Sequence, residues 1–166
     1  MTRTNIAIDY LANRAELADA LAKFSWAEWR SFYDARGLTF DDALKSYRDR
    51  AKTDSLPLAL LAFHGEELVG TVSLKINDLE TRPEITPWLA SLFVVPDWRR
   101  KGVASLLVQR AVEEARRLKL PTLFLWTTSA EALYLKLGWR AVERTEHCGK
   151  RIVIMQIDLR KVESRK

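Results

Sequence analysis

The sequence predicts a mixed α/β domain, with a central sheet of about six to seven strands flanked by about four helices. In the middle of the chain, apolar runs typical of buried strands alternate with segments whose apolar residues recur at helical spacing, and this order implies parallel strands. On either side, apolar runs joined by short glycine-containing turns predict antiparallel hairpins. The 166 residues, 48% apolar and 30% charged, suffice for one folded domain. We expect that domain to span residues 1–160 and residues 161–166 to form a frayed tail.

The first part of the chain predicts one strand and two helices. "NIAIDY" is typical of a short strand, and the run "AELADALAKFSWAEWRSFYDARG" has mostly helical spacing and ends near Gly37. A second helix begins with Thr39 as a plausible N-cap. Asp41 and Asp42 occupy its first turn, where negative charge suits the positive end of the helix dipole.

Strands and a loop follow. "PLALLAFH" and "LVGTVSLKI", joined at "GEE", predict a hairpin. The segment "NDLETRPEITPW" has two prolines among polar residues and predicts an exposed loop that is long enough to be functional. "WLASLFVV" then predicts a buried strand.

The last part predicts a long helix, a strand, a short helix and a closing hairpin. Helical spacing extends from about Arg100 to Lys119, and "PTLFLWTT" is typical of a strand. In the short helix that follows, Thr128 and Glu131 fit a capping box and Gly138 ends the run. "WRAVERTEH" and "RIVIMQIDL", joined at "CGK", predict the final hairpin.

The stretch "FVVPDWRRKGVAS" places three cations immediately before a helix, where the dipole is already positive. Cations cost free energy there unless an anion lies beside them. The first N–H groups of a helix have no internal partner and can bind a phosphate, which Gly102 would allow to approach closely. A phosphorylated cofactor explains this pattern, and a solvated basic turn shaped by the glycine is the alternative.

The same stretch resembles the pyrophosphate-binding signature of the GNAT superfamily of acyl-CoA-dependent N-acetyltransferases, Gln/Arg-x-x-Gly-x-Gly/Ala. Arg99, Gly102 and Ala104 match it. In that family the signature follows a strand with an apolar-Pro ending and opens the long central helix, as "LFVVPDWRRKGVA" does here.

A second signature of the family, Asn-x-x-Ala-x-x-x-Tyr-x-x-x-Gly-Phe, resembles "TTSAEALYLKLGW". Ala130, Tyr134 and Gly138 match it, whereas Thr127 replaces the frequent asparagine and Trp139 replaces phenylalanine. By motif the resemblance covers about Leu89 to Trp139, and by order of elements it covers most of the chain.

The resemblance implies a GNAT-like fold in which strands four and five are parallel and splayed. It also implies acetyl-CoA (coenzyme A) as the cofactor, with the backbone N–H groups at the end of the fourth strand stabilising the oxyanion of the reaction. The cofactor-binding residues that it implies are Phe93, Val94, Val95, Arg99, Arg100, Lys101, Gly102, Val103, Ala104, Ser105, Thr127, Ala130 and Tyr134.

The activity implied is transfer of an acetyl group to a primary amine by direct attack, with Tyr134 as the general acid for the departing thiolate. Many relatives place the general base on the fourth strand, but the corresponding positions here, Trp88 and Ala90, cannot accept a proton. Glu84 in the preceding loop is the predicted base. The alternative is a non-catalytic relative that binds acyl-CoA as a sensor or scaffold, and it rests on the missing base of the fourth strand.

The acceptor site is predicted from aromatic residues near the first helices, Trp26 and Trp29, together with the loop from Glu84 to Trp88 and the last hairpin. His147 and Cys148 in that hairpin could border the acceptor, whereas His64 near the first hairpin turn fits a surface residue. A peptide N-terminus, a lysine side chain, a polyamine, an aminoglycoside and a small metabolite amine all stay open as acceptors.

The charge and the cysteine content limit the classes of partner that the sequence predicts. The net charge of +5 is spread along the chain among acidic residues and no nucleic-acid reader motif is present, so we expect no nucleic-acid partner. One cysteine, Cys148, excludes an internal disulfide and a two-pair cysteine zinc site, which favours the cytoplasm and no metal. No apolar run is long enough to span a bilayer, so no membrane partner is expected. The family resemblance leaves a homodimer open.

Overall fold

The computed structural model describes residues 5–160. One seven-stranded mixed sheet has the order β1-β2-β3-β4-β5-β7-β6. Its strands are β1 (Ala7–Tyr10), β2 (Leu58–His64), β3 (Glu67–Lys75), β4 (Trp88–Val94), β5 (Thr122–Thr127), β6 (Arg140–His147) and β7 (Lys150–Asp158). The α-helices are α1 (Ala18–Glu28), α2 (Arg30–Ala35), α3 (Phe40–Arg48), α4 (Val103–Arg117) and α5 (Glu131–Lys136), and 3-10 turns cover Leu11–Leu17 and Pro96–Trp98.

The strands β4 and β5 are the one parallel pair of the described sheet, and they diverge after a single contact. Trp88 pairs with Phe124, whereas every other neighbouring pair is antiparallel and has a longer register. The register between β3 and β4 slips between Thr71 and Ser73, and Ser91 on β4 has a φ of 57°. This bulge bends β4 away from β5, because an extra residue in one strand increases its local twist. The splayed strands predicted by resemblance are therefore present.

Helices cover both faces of the sheet and create two apolar layers. The helix α4 packs on β2, β3 and β4 through buried residues such as Val103, Leu107 and Ala111. On the opposite face, α1 and α3 pack on β2 through Leu21 and Tyr47. The helix α4 and the strand β4 both lie close to the backbone of Gly70 on β3. A Cβ added there would lie 2.9 Å from the carbonyl oxygen of Phe93 and 3.0 Å from Leu107.

The structure corrects three predicted boundaries. The single helical region predicted up to Gly37 is broken at Trp29, whose φ of −117° and ψ of 31° are not helical, so α1 and α2 are separate helices. The long helix begins at Val103 rather than near Arg100, because Arg100 and Gly102 have φ values of 65° and 86°.

The third correction concerns the start of α5. The expected capping box of Thr128 and Glu131 does not form. The hydroxyl of Thr127 instead accepts hydrogen bonds from the N–H groups of Ser129 and Ala130, at 3.3 and 3.0 Å. The Glu131 carboxylate forms an ion pair with Arg144 at 2.8 Å instead of accepting from the start of α5.

The predicted N-cap at Thr39 is confirmed. Its hydroxyl accepts from the N–H of Asp42 at 3.2 Å, and the Asp42 carboxylate accepts from the N–H of Thr39 at 2.8 Å. Within residues 5–160 no helix combines the length and the apolar character needed to cross a membrane. The predicted tail, residues 161–166, lies outside the described residues, and the single domain over 1–160 stays a prediction.

Candidate functional site

A cleft of about 440 Å³ opens beside β4 and β5. Its walls come from the end of α1, from α2 and α3, from the central residues of β4, from the end of β5 and from the start of α5. His147, the last residue of β6, closes one side. Because the two strands diverge, the cleft reaches between them to main-chain groups that a regular sheet would pair.

The start of α4 exposes its first N–H groups without a side-chain cap. Gly102, the N-cap, has a φ of 86°, a conformation that L-residues adopt only with strain. A Cβ built on Gly102 would meet nothing within 4 Å, so the glycine is required for its backbone angle and the space beside it is open. Open space next to unpaired N–H groups at the positive end of a helix dipole fits an anionic group.

The three cations before α4 have different surroundings. The Nε atom of Arg99 donates to the carbonyl oxygen of Val94 at 2.7 Å, and its guanidinium lies 3.7 Å from Glu28. Arg100 and Lys101 are exposed, and the Lys101 ammonium lies 5.9 Å from the ring centre of Trp98. Arg99 therefore ties the turn to β4 and α1, whereas the other two cations face solvent beside the start of α4.

Tyr134 is a largely buried residue whose hydroxyl opens to the cleft. The residue is 5% exposed, and its ring packs edge-on against Trp139 with the ring centres 5.9 Å apart. Burial raises the pKa of its phenol above the usual value, so the group stays protonated across the neutral range. Within residues 5–160 no hydrogen-bond partner of the hydroxyl is present, although the residue lines the cleft.

His147 is the titratable imidazole of the cleft. Its ring stacks on Phe32, with ring centres 5.4 Å apart, and packs edge-on against Trp126 at 5.1 Å. Burial lowers the pKa of the imidazole below its ordinary value, and the positive charge of Arg36 lowers it further. The ring is therefore neutral at pH 7 and able to accept a proton. Cys148, its neighbour, is exposed in the turn and does not line the cleft.

Other predicted contacts also line the cleft. Trp29, Thr127 and Ala130 are among its walls. The predicted cofactor residues Val103, Ala104 and Ser105 form the first turn of α4. Trp26 instead packs between the helices, 5.2 Å from the ring centre of Tyr33.

The predicted cofactor residues at the end of β4 lie just beyond the cleft. The bulge is at Ser91, and the cleft is lined by Leu89 to Leu92 rather than by Phe93, Val94 and Val95. The N–H of Val95 donates to Val69 at 2.9 Å and is already in use. Main-chain groups earlier in β4 are nearer to the cleft.

The structure does not bring Glu84 and Trp88 into the cleft. Trp88 is fully buried with Leu79, Ile152 and Ile154, and its indole N–H donates to the carbonyl oxygen of Ile85 at 2.8 Å. Glu84 is exposed in the loop before β4 and does not line the cleft. His64, expected at the surface, is exposed, and its ring lies 4.7 Å from that of Trp98.

Sequence reasoning missed a group of charged and hydroxyl side chains on the cleft wall, namely Ser46, Arg50, Lys75, Asp78 and Ser91. They come from α3, from the end of β3 and from the bulge of β4, which are far apart in the sequence. Arg50 lies in the charge-rich run "SYRDRAK", which is typical of a solvated helix end, so no local signal distinguishes it. Within residues 5–160 no cluster of histidine, cysteine and acidic residues suited to a metal ion is present.

The chain resembles known proteins in sequence and in fold. The sequence model of the acetyltransferase (GNAT) family matches residues 20–139. The N-alpha-acetyltransferase MAK3 of Arabidopsis thaliana is 33% identical over 94 residues, which are 54% of this chain and 48% of MAK3. The chain thus spans about half the length of this curated relative.

Solved structures share the fold at low sequence identity. An aminoglycoside 6'-N-acetyltransferase complexed with coenzyme A has a TM-score of 0.70 and 17% identity, covering 92% of this chain and 97% of that one. The putative acetyltransferase yncA from Salmonella typhimurium, with acetyl-CoA, has a TM-score of 0.71 and 18% identity, covering 94% and 95%. The paia N-acetyltransferase from Thermoplasma acidophilum, with coenzyme A, has a TM-score of 0.67 and 20% identity, covering 93% and 99%. These neighbours confirm the predicted fold class, and their ligands agree with the predicted cofactor.

Proposed function

Because the chain belongs to the acetyltransferase (GNAT) family, we propose that it transfers an acetyl group from acetyl-CoA to a primary amine by direct attack in a ternary complex. The observation that carries the proposal is Tyr134, a buried phenol that lines the cleft and has no hydrogen-bond partner among residues 5–160. The hydroxyl oxygen is accessible from the cleft, where it can donate its proton to the sulfur of a thioester.

The start of α4 is the proposed site for the diphosphate of the cofactor. The N–H groups of Val103, Ala104 and Ser105 have no side-chain cap, and Gly102 leaves the space beside them open. Arg100 and Lys101 add positive charge at the edge of that space. Arg99 acts there through its hydrogen bond to Val94, which fixes the turn.

Acetyl-CoA supplies an activated thioester, and the protein supplies proton transfers and charge stabilisation around it. Tyr134 donates its proton to the departing sulfur. Burial raises the pKa of the Tyr134 phenol, so the hydroxyl keeps its proton until the sulfur departs. Main-chain N–H groups of β4 beside the bulge at Ser91 face the carbonyl that gains negative charge.

His147 is the proposed base for the acceptor amine. It lines the same cleft as Tyr134, and its lowered pKa keeps it neutral at pH 7. Glu84, the base expected from the sequence, lies outside the cleft, so its role would require a water chain across exposed surface. The Trp29 side of the cleft is the proposed wall for the body of the acceptor. Cytoplasmic location remains a proposal from the cysteine content, and a homodimer remains one from the family resemblance.

The test is an acetylation assay of the purified protein with acetyl-CoA and a panel of amines, read by mass. The panel includes peptides with free N-termini, a lysine side chain, polyamines, aminoglycosides and small metabolite amines. The proposal expects a mass increase of one acetyl group on at least one class. Calorimetric binding of acetyl-CoA without transfer to any amine would contradict it and would favour the acyl-CoA sensor instead.

A further inference from the structure

A buried arginine on the wall of the cleft donates hydrogen bonds only to hydroxyl groups among residues 5–160. Arg50 is 3% exposed and follows the end of α3. Its Nη1 atom donates to the hydroxyls of Ser73 and Ser91, at 2.9 and 3.2 Å, and its Nη2 atom donates to Ser46 at 2.8 Å. The guanidinium also lies over the ring of Tyr47, 4.0 Å from the ring centre. Its position is therefore fixed before any ligand arrives.

The positive charge of Arg50 lacks a carboxylate partner in the described part of the chain, residues 5–160. The other two basic side chains that line the cleft each have one: Lys75 pairs with Asp78 at 3.2 Å, and Arg36 pairs with Glu80 at 2.8 Å. The Nε atom of Arg50 is buried without a hydrogen-bond partner. A buried and unpaired charge is costly, so an anion that completes the pair gains much of that free energy back.

The serines around Arg50 have hydroxyl protons available to the cleft. Ser46 and Ser91 both line the cleft, and each hydroxyl oxygen accepts from the guanidinium. An oxygen that accepts from Arg50 directs its own O–H proton elsewhere, and no acceptor for either proton is present among residues 5–160. Ser73 is buried behind them and does not line the cleft.

The positive charge of Arg50 also acts on the neighbouring lysine. Burial lowers the pKa of Lys75, Asp78 opposes that effect, and the charge of Arg50 lowers the pKa further. A single negative charge on a ligand would offset the one cation that has no partner here.

We infer that the acceptor amine carries a carboxylate, which accepts hydrogen bonds from Ser46 and Ser91 while Arg50 behind them supplies the opposite charge. This inference rests on the proposed function, since it names the acceptor class for the same cleft. It narrows the acceptors to free amino acids and to amines with a nearby carboxylate, and it disfavours polyamines and aminoglycosides, which bring only positive charge.

The first arm of the test compares matched acceptors. Each amino acid is offered as the free carboxylate and as its carboxamide, and kcat/KM is measured for the native protein and for R50Q, S46A and S91A. For each protein we take the ratio of kcat/KM for the carboxylate to kcat/KM for the carboxamide. The two acceptors differ in amine pKa, but this difference is the same for every protein and cancels when the ratios are compared. We expect R50Q to lower this ratio by about ten- to a hundredfold, and each serine variant to lower it by about three- to tenfold.

The matched control is R48Q, which removes an exposed arginine at the end of α3, two residues before Arg50, and should leave the ratio unchanged. The serine variants keep the charge of Arg50 and guard against misfolding of R50Q. An equal ratio in the native protein and in all three variants, with transfer intact, would overturn the inference and leave the acetyltransferase function standing.

The second arm measures binding without chemistry. Calorimetry compares N-acetylated amino acids with their carboxamides on the native protein saturated with coenzyme A. Tighter binding of the carboxylates that is lost in S91A supports the site even if no transfer is found, a result that would contradict only the proposed function. Equal binding of both forms would overturn the inference.

Discussion

At the residue scale, the candidate site depends on polar groups that have no hydrogen-bond partner within the described residues 5–160. The hydroxyl of Tyr134 and the first N–H groups of α4 both face space without a partner among residues 5–160. Gly102 has the left-handed φ that turns the chain into α4. A single substitution can change the hydroxyl or the glycine. The first change should affect the rate, and the second should affect the affinity for the cofactor.

The first residue-scale prediction concerns Tyr134→Phe. Removing one hydroxyl takes away the proton donor, so kcat should fall by about a hundredfold or more while the calorimetric affinity for acetyl-CoA stays the same. The matched control is Tyr10→Phe, which removes a hydroxyl that bonds Glu114 outside the cleft. An unchanged kcat in Tyr134→Phe between pH 7 and 9 would rule out the acid role.

The second residue-scale prediction concerns Gly102→Glu. The new carboxylate would lie beside the proposed diphosphate site, so the affinity for acetyl-CoA should fall by more than about tenfold. Gly65→Glu is the matched control, because Gly65 also has a positive φ, 60°, with nothing within 4 Å of an added Cβ. Both variants should lose similar stability, and only the first should lose cofactor binding. Equal affinities by calorimetry would contradict the assignment of the diphosphate.

At the scale of elements, the cleft forms where short helices pack against a splayed sheet. The helix α3 carries Ser46 and precedes Arg50, and α5 carries Tyr134. The two helices begin differently: α3 has a reciprocal cap from Thr39 and Asp42, and α5 is held by the hydroxyl of Thr127. Loss of a cap should loosen the helix and the cleft wall that it carries.

Thr39→Ala tests this at α3. The variant leaves the N–H of Asp42 without its acceptor, so the free energy of unfolding should fall by about 1 kcal/mol. For a chain of this size that corresponds to a fall in Tm of about 2–4 °C. Thr128→Ala is the control, because Thr128 makes no cap, and its Tm should stay within about 1 °C of the native value. A larger loss in Thr128→Ala than in Thr39→Ala would contradict the observed caps.

At the scale of the whole molecule, the sequence predicted the framework and part of the cleft lining, and it missed the wall around Arg50. The periodicity of residues 103–117 and the two hairpins are local patterns, and the family predicted from the two signatures is confirmed by the match over residues 20–139. Arg50 and Ser91 meet only because α3 ends against β3 and the bulge of β4. Tertiary packing determines that meeting, and local spacing carries no signal for it.

The pH dependence of stability is a whole-molecule prediction. Burial holds the pKa of His147 below its ordinary value in the folded state, whereas the unfolded chain titrates near 6.5. As the pH falls below about 6.5, the unfolded state binds more protons and folding is disfavoured. His147→Gln should remove part of the loss in Tm between pH 7 and 5, and His64→Gln, at an exposed position, should keep the native profile. Identical slopes in His147→Gln and the native protein would contradict the assignment.

The central claim is that the start of α4 holds the diphosphate of coenzyme A and that Tyr134 lies beside its sulfur. A crystal structure of the protein with coenzyme A tests it most directly. We predict diphosphate oxygens at about 3 Å from the N–H groups of Val103 to Ser105, and the sulfur beside the Tyr134 hydroxyl in the cleft between β4 and β5. A ligand bound elsewhere, or a start of α4 capped by one of the protein's own carboxylates while the cleft stays empty, would contradict the claim.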